Sequence, residues 1–233
     1  DNILKFGEYF SIKQTLQNFC LIRHDVDRNP VNALKMAELE KDLGVYSTYY
    51  FRTKKRVFDT KVIRKIARMG HEIGYHYESF ADAKGDYEYA LIDFSKNLKK
   101  MRRVANVSTV CMHGQPFSPF DSRDLWREDR YHYMLKTKFD IKGDVYLDIN
   151  YKDIAYITDT GRNWQANRSN IRDKVDTSIK LDFKHQNDLL NYLTNPHNKL
   201  IFLTHPERWN DGVADYSLQF LKDQLINTTK KFL

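Results

Sequence analysis

Cysteine is scarce in this chain: Cys20 and Cys111 are the only two among 233 residues. That excludes a disulfide framework, and because both stand in apolar, strand-like runs they read as buried, reduced thiols. Long apolar runs are missing too, so no segment is expected to span a bilayer. The opening residues Asp1-Asn2-Ile3-Leu4-Lys5 lack the basic and apolar blocks of a signal peptide. The expectation is a cytoplasmic protein without a membrane span. Zinc-finger spacing, an RNA-binding signature and a Gly-rich phosphate loop are likewise absent. The net charge of +7 therefore stands without a nucleic-acid motif to use it. Of its two cationic runs, Lys54-Lys55-Arg56 and Lys99-Lys100-Met101-Arg102-Arg103, the second falls late in a helical pattern, where cations face water and complement the helix dipole. No repeat, low-complexity tract or linker interrupts the chain, so residues 1–233 are expected to form one domain.

What the sequence does contain is alternation. An opening helix is expected within 8–18, and Phe19-Cys20-Leu21-Ile22 begins a strand that ends at His24-Asp25. Leu34, Ala37, Glu38 and Lys41 keep helical spacing over 30–43, with Gly44 as the stop. The aromatic and β-branched run 46–51 predicts a second strand. A helix over 60–69 closes at Gly70, a third strand covers 72–76, a long helix 86–104 and a fourth strand 108–112. Strands alternating with helices predict parallel βαβ units, hence an α/β fold. The second half is less regular: an irregular connection over 114–121, a strand pair over 145–149 and 154–158 turning near Lys152-Asp153, and a long polar loop over 159–173. A helix over 186–193, a last strand over 200–204 and a closing helix over 217–228 complete the pattern.

Chemistry-bearing residues collect where the strands end. Asp25 and Asp27 end strand one, Arg52 follows strand two, His76 and Glu78 follow strand three, His113 strand four and His205 the last strand. In a right-handed parallel barrel these ends converge on one face. Asp25 and Asp27 are two apart, which on a regular strand puts them on one side. One carboxylate can hold a cation while the other takes a proton from a metal-bound water. Read alone, the pair also fits a helix cap, because Asn29-Pro30 and a helical pattern follow.

The runs Ile22-Arg23-His24-Asp25-Val26-Asp27, Gly70-His71-Glu72-Ile73-Gly74-Tyr75-His76 and Leu203-Thr204-His205 together resemble the polysaccharide deacetylase family, carbohydrate esterase family four, over about 20–209. The resemblance implies a distorted (β/α)7 barrel of the TIM-like type. It also implies metal-assisted hydrolysis that removes an N- or O-linked acetyl group from a sugar or glycan precursor. Carried over by motif, Asp25 is the catalytic base, His205 the catalytic acid, and Asp27 and His76 are metal ligands. The implied cofactor is a divalent metal, zinc first, with manganese or cobalt as alternatives, and the implied partner is a carbohydrate rather than nucleic acid.

One position departs from the family pattern. Four residues after His76, where the family supplies another histidine, stands Phe80, which cannot coordinate a metal. Glu78 and His113 are the candidates for the third ligand. His71 precedes strand three, at the end opposite His76, and is expected to pack or cap rather than ligate. Asp159, Arg162 and Trp164, in a polar run suited to stacking and hydrogen-bonding a sugar ring, join Arg52, Arg208 and Trp209 as candidate substrate contacts. The bland reading of that run is a surface turn held by Gly161 and Asp159. Arg208 is a candidate partner for Asp25 or for an acidic substrate. Two other functions stay open: a carbohydrate-binding barrel that has lost its metal, and hydrolysis of a C–N bond in a small amide.

Overall fold

The computed structural model describes residues 3–12, 16–162, 164, 170–183, 185–194 and 199–230. The Asp1-Asn2 start and part of the loop expected over 159–173 lie outside them. The chain opens with a two-residue strand β1 (Ile3–Leu4) and a helical turn α1 (Phe6–Tyr9), followed by β2 (Phe19–Val26) and α2 (Pro30–Asp42). Next come β3 (Thr48–Phe51), α3 (Thr60–Arg68), β4 (Glu72–Tyr77), the short α4 (Ser79–Asp82) and α5 (Tyr87–Arg102). The middle holds β5 (Thr109–Met112), α6 (Asp124–Arg127), α7 (Asp129–Thr137), β6 (Gly143–Asp144) and β7 (Ala155–Thr158). The chain ends with α8 (Gln186–Leu193), β8 (Lys199–Thr204) and α9 (Val213–Lys230).

All pairings are parallel, in the order β6-β5-β4-β3-β2-β8-β7. This is the distorted (β/α)7 barrel, open among the described residues between β6 and β7. The extra strand β1 pairs Cys20 and Leu21 at the start of β2, and β3 takes over from Arg23 onward.

Alternation along each strand sorts side chains into an inner and an outer core. Leu21, Tyr50, Cys111, Tyr156, Ile201 and Leu203 fill the barrel. Their sequence neighbours Tyr49, Phe51, Val110 and Met112 face the helices instead, in a cluster with Ile63, Ile66, Phe94 and Trp126. The Phe94 ring lies 4.7 Å from that of Trp126 and 5.3 Å from that of Tyr75, a dense aromatic layer under α5. On β4 the inward positions are Glu72, Gly74 and His76. A Cβ on Gly74 would lie 2.2 Å from Tyr50 Cε1, so only glycine lets the Tyr50 ring cross the barrel there.

The helices start and stop as their sequences direct. Asp59 Oδ1 accepts from the N–H groups of Lys61 and Val62 at the start of α3, and Gly70, with φ +101°, ends it. Asp86 caps α5 through the N–H of Tyr89.

The expected pair of strands over 145–149 and 154–158 is corrected. β6 is only Gly143–Asp144, at one end of the sheet, and β7 lies at the other end beside β8. Asp144 Oδ1 accepts the N–H groups of Tyr146 and Leu147 at 2.8 and 3.2 Å, while Asp148 Oδ2 accepts that of Asp144 at 2.6 Å. These local bonds turn the backbone before a longer ladder can form. The opening helix is also shorter than the 8–18 expectation, and α6 and α7 had no periodic signal strong enough to announce them.

Candidate active site

Three segments set the centre of the site. β2 carries Arg23 and Asp25 inward and releases Asp27 just past its end. β4 delivers His76 as its last inward residue, and His113 follows β5. Asp27 Oδ1 lies 3.3 Å from His76 Nε2 and 3.4 Å from His113 Nε2. Burial opposes ionisation of Asp27, but His113 and His76 outweigh it and hold the carboxyl well below its ordinary range.

Each imidazole is oriented from behind. His76 Nδ1 donates to the Cys111 carbonyl at 3.0 Å, which leaves Nε2 to face Asp27. His113 Nδ1 lies 2.9 Å from Glu78 Oε2. Glu78 is in turn held by Arg52 at 2.7 Å and Lys54 at 2.8 Å, and Gln115 donates to it at 3.3 Å. Glu78 thus sits behind His113, its charge matched by two cations. Arg52 also donates to the Asp27 carbonyl. Phe80 is turned away altogether: its ring is 4.8 Å from Tyr87 and 6.3 Å from Phe120 in the outer core.

Asp25 is buried over a guanidinium. Its Oδ2 lies 3.6 Å from Arg23 Nη2 and 3.7 Å from His76 Nε2, while its Oδ1 has no hydrogen-bond partner. Arg23, fully inaccessible inside the barrel, donates to Cys111 Sγ at 2.8 Å, Tyr146 Oη at 2.7 Å and Tyr156 Oη at 2.8 Å. Both tyrosines hand their own protons to Asp173. The partner of Asp25 is therefore Arg23 rather than Arg208.

On the other wall, His205 Nε2 comes within 4.0 Å of Asp27 Oδ2. Its Nδ1 meets Asp159 Oδ1 at 2.6 Å, and Asp159 Oδ2 also accepts the His205 backbone N–H at 3.0 Å. Arg208 and the indole of Trp209 complete the shell of Asp159 at 2.9 and 3.2 Å. Burial and Arg208 both disfavour a charged His205, yet the Asp159 carboxylate outweighs them and raises the imidazole to about 9. Asp159 itself is held at about 2, because Arg208 and His205 overcome its burial. Nearby Glu207 is pushed up to about 7 by burial and by the charge on Asp27.

These groups open into a cleft of about 570 Å³ above the strand ends. Asp25, Asp27, Arg52, His76, His113, Arg162, His205 and Arg208 line it. Glu78 and Asp159 stand one layer behind, and Trp164 and Trp209 are outside the lining. Trp164 stacks on Phe202 at 5.6 Å, with Trp209 at 5.9 Å. Arg162 donates to Asp223 on α9 at 2.7 Å. His71 is remote, donating to the Ala37 carbonyl and accepting the Ser47 N–H. Arg23, Tyr146, Arg172 and Asp173 were not foreseen as site residues. Only Arg23 carried a signal, since it shares the strand parity of Asp25.

Two donor sets can be tested for a cation. Asp25, His76 and Cys111 offer an oxygen, a nitrogen and a sulfur within 4.8 Å of one another. Burial keeps the Cys111 thiol protonated, and the Arg23 guanidinium beside it disfavours a second cation. Asp27, His76 and His113 fit better: Asp27 Oδ1 is buried without a hydrogen bond, two imidazole nitrogens face it, and the set borders the cleft.

No protein-family model matches the sequence, and no curated protein is similar enough to match. Solved structures do. A Mycobacterium smegmatis protein assigned to the polysaccharide deacetylases is similar with a TM-score of 0.50 and 16% identity, over 91% of this chain and 86% of that one. The catalytic domain of a peptidoglycan N-acetylglucosamine deacetylase from Eubacterium rectale has a TM-score of 0.49 and 11% identity, over 92% of this chain and 87% of its own. A family 4 carbohydrate esterase from Streptomyces lividans, solved with acetate, has a TM-score of 0.49 and 9% identity, over 93% and 91%. At such identities the likeness is one of fold.

Proposed function

We propose that this chain, built on the barrel of the polysaccharide deacetylases, is a metal-dependent hydrolase that removes an N- or O-linked acetyl group from a sugar or glycan precursor. The observation that carries the reading is the single Asp27 oxygen set 3.3 and 3.4 Å from the imidazoles of His76 and His113, with Asp25 and His205 flanking it. In this reading Asp27, His76 and His113 are the metal ligands and Glu78 orients His113. A divalent cation, zinc in preference to manganese or cobalt, supplies Lewis acidity for the acyl carbonyl and lowers the pKa of water.

The rest is done by the chain. Asp25, whose buried Oδ1 is left without a hydrogen-bond partner, takes the proton of the attacking water. Arg23, 3.6 Å from its Oδ2, fixes its position from below. His205 enters each turnover protonated, since Asp159 raises it to about 9, and gives that proton to the departing amine or alkoxide. Asp159, Arg208 and Trp209 hold the ring in place. Arg52 and Trp164 act as supports of the wall.

The test is acetate release from a panel of acetylated sugars by metal-stripped and metal-reconstituted protein. Release that returns with zinc, manganese or cobalt supports the reading. Protein that binds sugars but neither metal nor acetyl group would be a binding barrel, and release of amine from small non-sugar amides alone would shift the substrate class.

A further inference from the structure

The cleft holds more positive charge than the proposed chemistry uses. Five arginines line it: Arg28, Arg52, Arg162, Arg172 and Arg208. The carboxylates that face them are largely committed elsewhere. Asp25 and Asp173 flank the buried Arg23 at 3.6 and 3.8 Å, and Asp27 belongs to the proposed ligand set. Asp223 is shared by Arg162 at 2.7 Å and Arg208 at 3.7 Å. Arg52 is matched by Glu78 and Arg208 by Asp159.

That leaves Arg28 and Arg172. Arg28, on the loop after β2, is exposed and makes no ion pair among the described residues. Arg172 approaches Asp121 only at 3.6 Å, and Asp121 is already clasped by Arg123 at 2.6 Å. Four of the cleft arginines also keep one buried guanidinium nitrogen without an acceptor: Nε of Arg52, Arg172 and Arg208, and Nη2 of Arg162. A buried donor without an acceptor is costly, and a planar guanidinium matches carboxylate and phosphate oxygens alike.

We infer that the sugar this cleft accepts carries an anionic group, a carboxylate or a phosphate ester, set against Arg172 and Arg28. The inference rests on the hydrolase reading for the acetyl group but not for the charge. The neutral sugar N-acetylglucosamine, its uronic acid and its 6-phosphate serve as probes, with binding followed by calorimetry and turnover by acetate release on the metal-loaded full chain. One anionic probe should bind at least about tenfold more tightly than the neutral one, the scale of one charge-assisted hydrogen bond. That ratio should shrink as salt rises, and Arg172→Gln or Arg28→Gln should move it toward one. Preference for the uronic acid identifies a carboxylate, and preference for the 6-phosphate a phosphate.

Equal binding of neutral and charged probes overturns the inference, as does a ratio that both variants leave unchanged. A charge preference in binding with no acetate released from any probe sinks the hydrolase reading and leaves this one standing. Acetate release without charge preference does the reverse.

Discussion

His205 Nδ1 and Asp159 Oδ1 lie 2.6 Å apart, both buried, and that contact decides which protonation state His205 carries into the cleft. Against burial and Arg208, the carboxylate raises the imidazole from 6.5 to about 9.

Replacing the carboxylate shifts the balance. In Asp159→Asn, burial and Arg208 are opposed chiefly by the more distant charge on Asp27, so the alkaline limb of the kcat/KM profile should move down from about 9. The sign follows from the role: the acid form is active, so rate is lost as pH rises through the pKa. A limb that stays put would remove His205 from the acid role. The ion pair also contributes stability that is complete below 6.5 and is lost as pH rises through about 9.

Metal content should separate ligands from the groups around them. His76→Ala and His113→Ala should abolish zinc binding measured on purified protein. His205→Ala should keep the metal and lose turnover by roughly 10²–10⁴-fold. Glu78→Gln should weaken metal affinity about 10–100-fold, the usual effect of losing the group behind a ligating histidine. Full zinc occupancy in His113→Ala would instead favour the set that contains Cys111.

At Phe80 the expectation is a loss of stability with no gain in metal affinity. The ring belongs to the outer core between Tyr87 and Phe120. Phe80→His should cost about 2–4 kcal/mol in urea unfolding, because it puts an unpaired imidazole there. Tighter zinc binding by this variant would instead turn position 80 of α4 toward the cleft.

How far the sequence spoke is visible at these same positions. Strand-end histidines and aspartates were legible because parallel topology sends all strand ends to one face, and period-two parity marks which residues turn inward. Phe80 announced that a ligand was missing, and His113 stood as one of two candidates. What sequence could not show was the layer behind. Glu78 and His113 differ by contacts with Arg52 and Lys54, which come from another strand end, and Tyr146 and Asp173 meet Arg23 only across the barrel. The strand pair expected near 145–158 failed because Asp144 and Asp148 spend their carboxylates on nearby N–H groups, and apolar patterning is blind to such competition.

Arg23 provides a test of that hidden layer. Arg23→Met keeps the bulk but strands Asp25 and Asp173 without a buried cation, and should cost about 3–5 kcal/mol, the scale of breaking a buried pair. Asp173→Asn in the same background should recover part of that loss if the two charges share Arg23. Additive losses in chemical denaturation would show that they do not.

Outside the barrel, His24 points away from the cleft toward Glu40, which also accepts from Ser47 at 2.6 Å and Tyr49 at 2.8 Å. Burial opposes ionisation of Glu40, but His24 and these donors hold it at about 2. A depressed carboxyl contributes stability that is complete above its ordinary value of 4.5 and is lost as pH falls toward about 2. Glu40→Gln should therefore flatten the acid side of a stability–pH curve between those limits, and an unchanged curve would assign acid unfolding to other groups.

Beneath Asp25 the barrel is shut. Cys111, Tyr50, Leu21 and Phe6 are each fully inaccessible, and at the far end Glu72 accepts from Thr48, Thr109 and the Gly7 N–H. The molecule is a cup rather than a tube. In the proposed reaction the substrate would descend to the histidines past the rim of arginines and both products would leave past the same rim, so the slower departing product would govern how soon the cup is refilled.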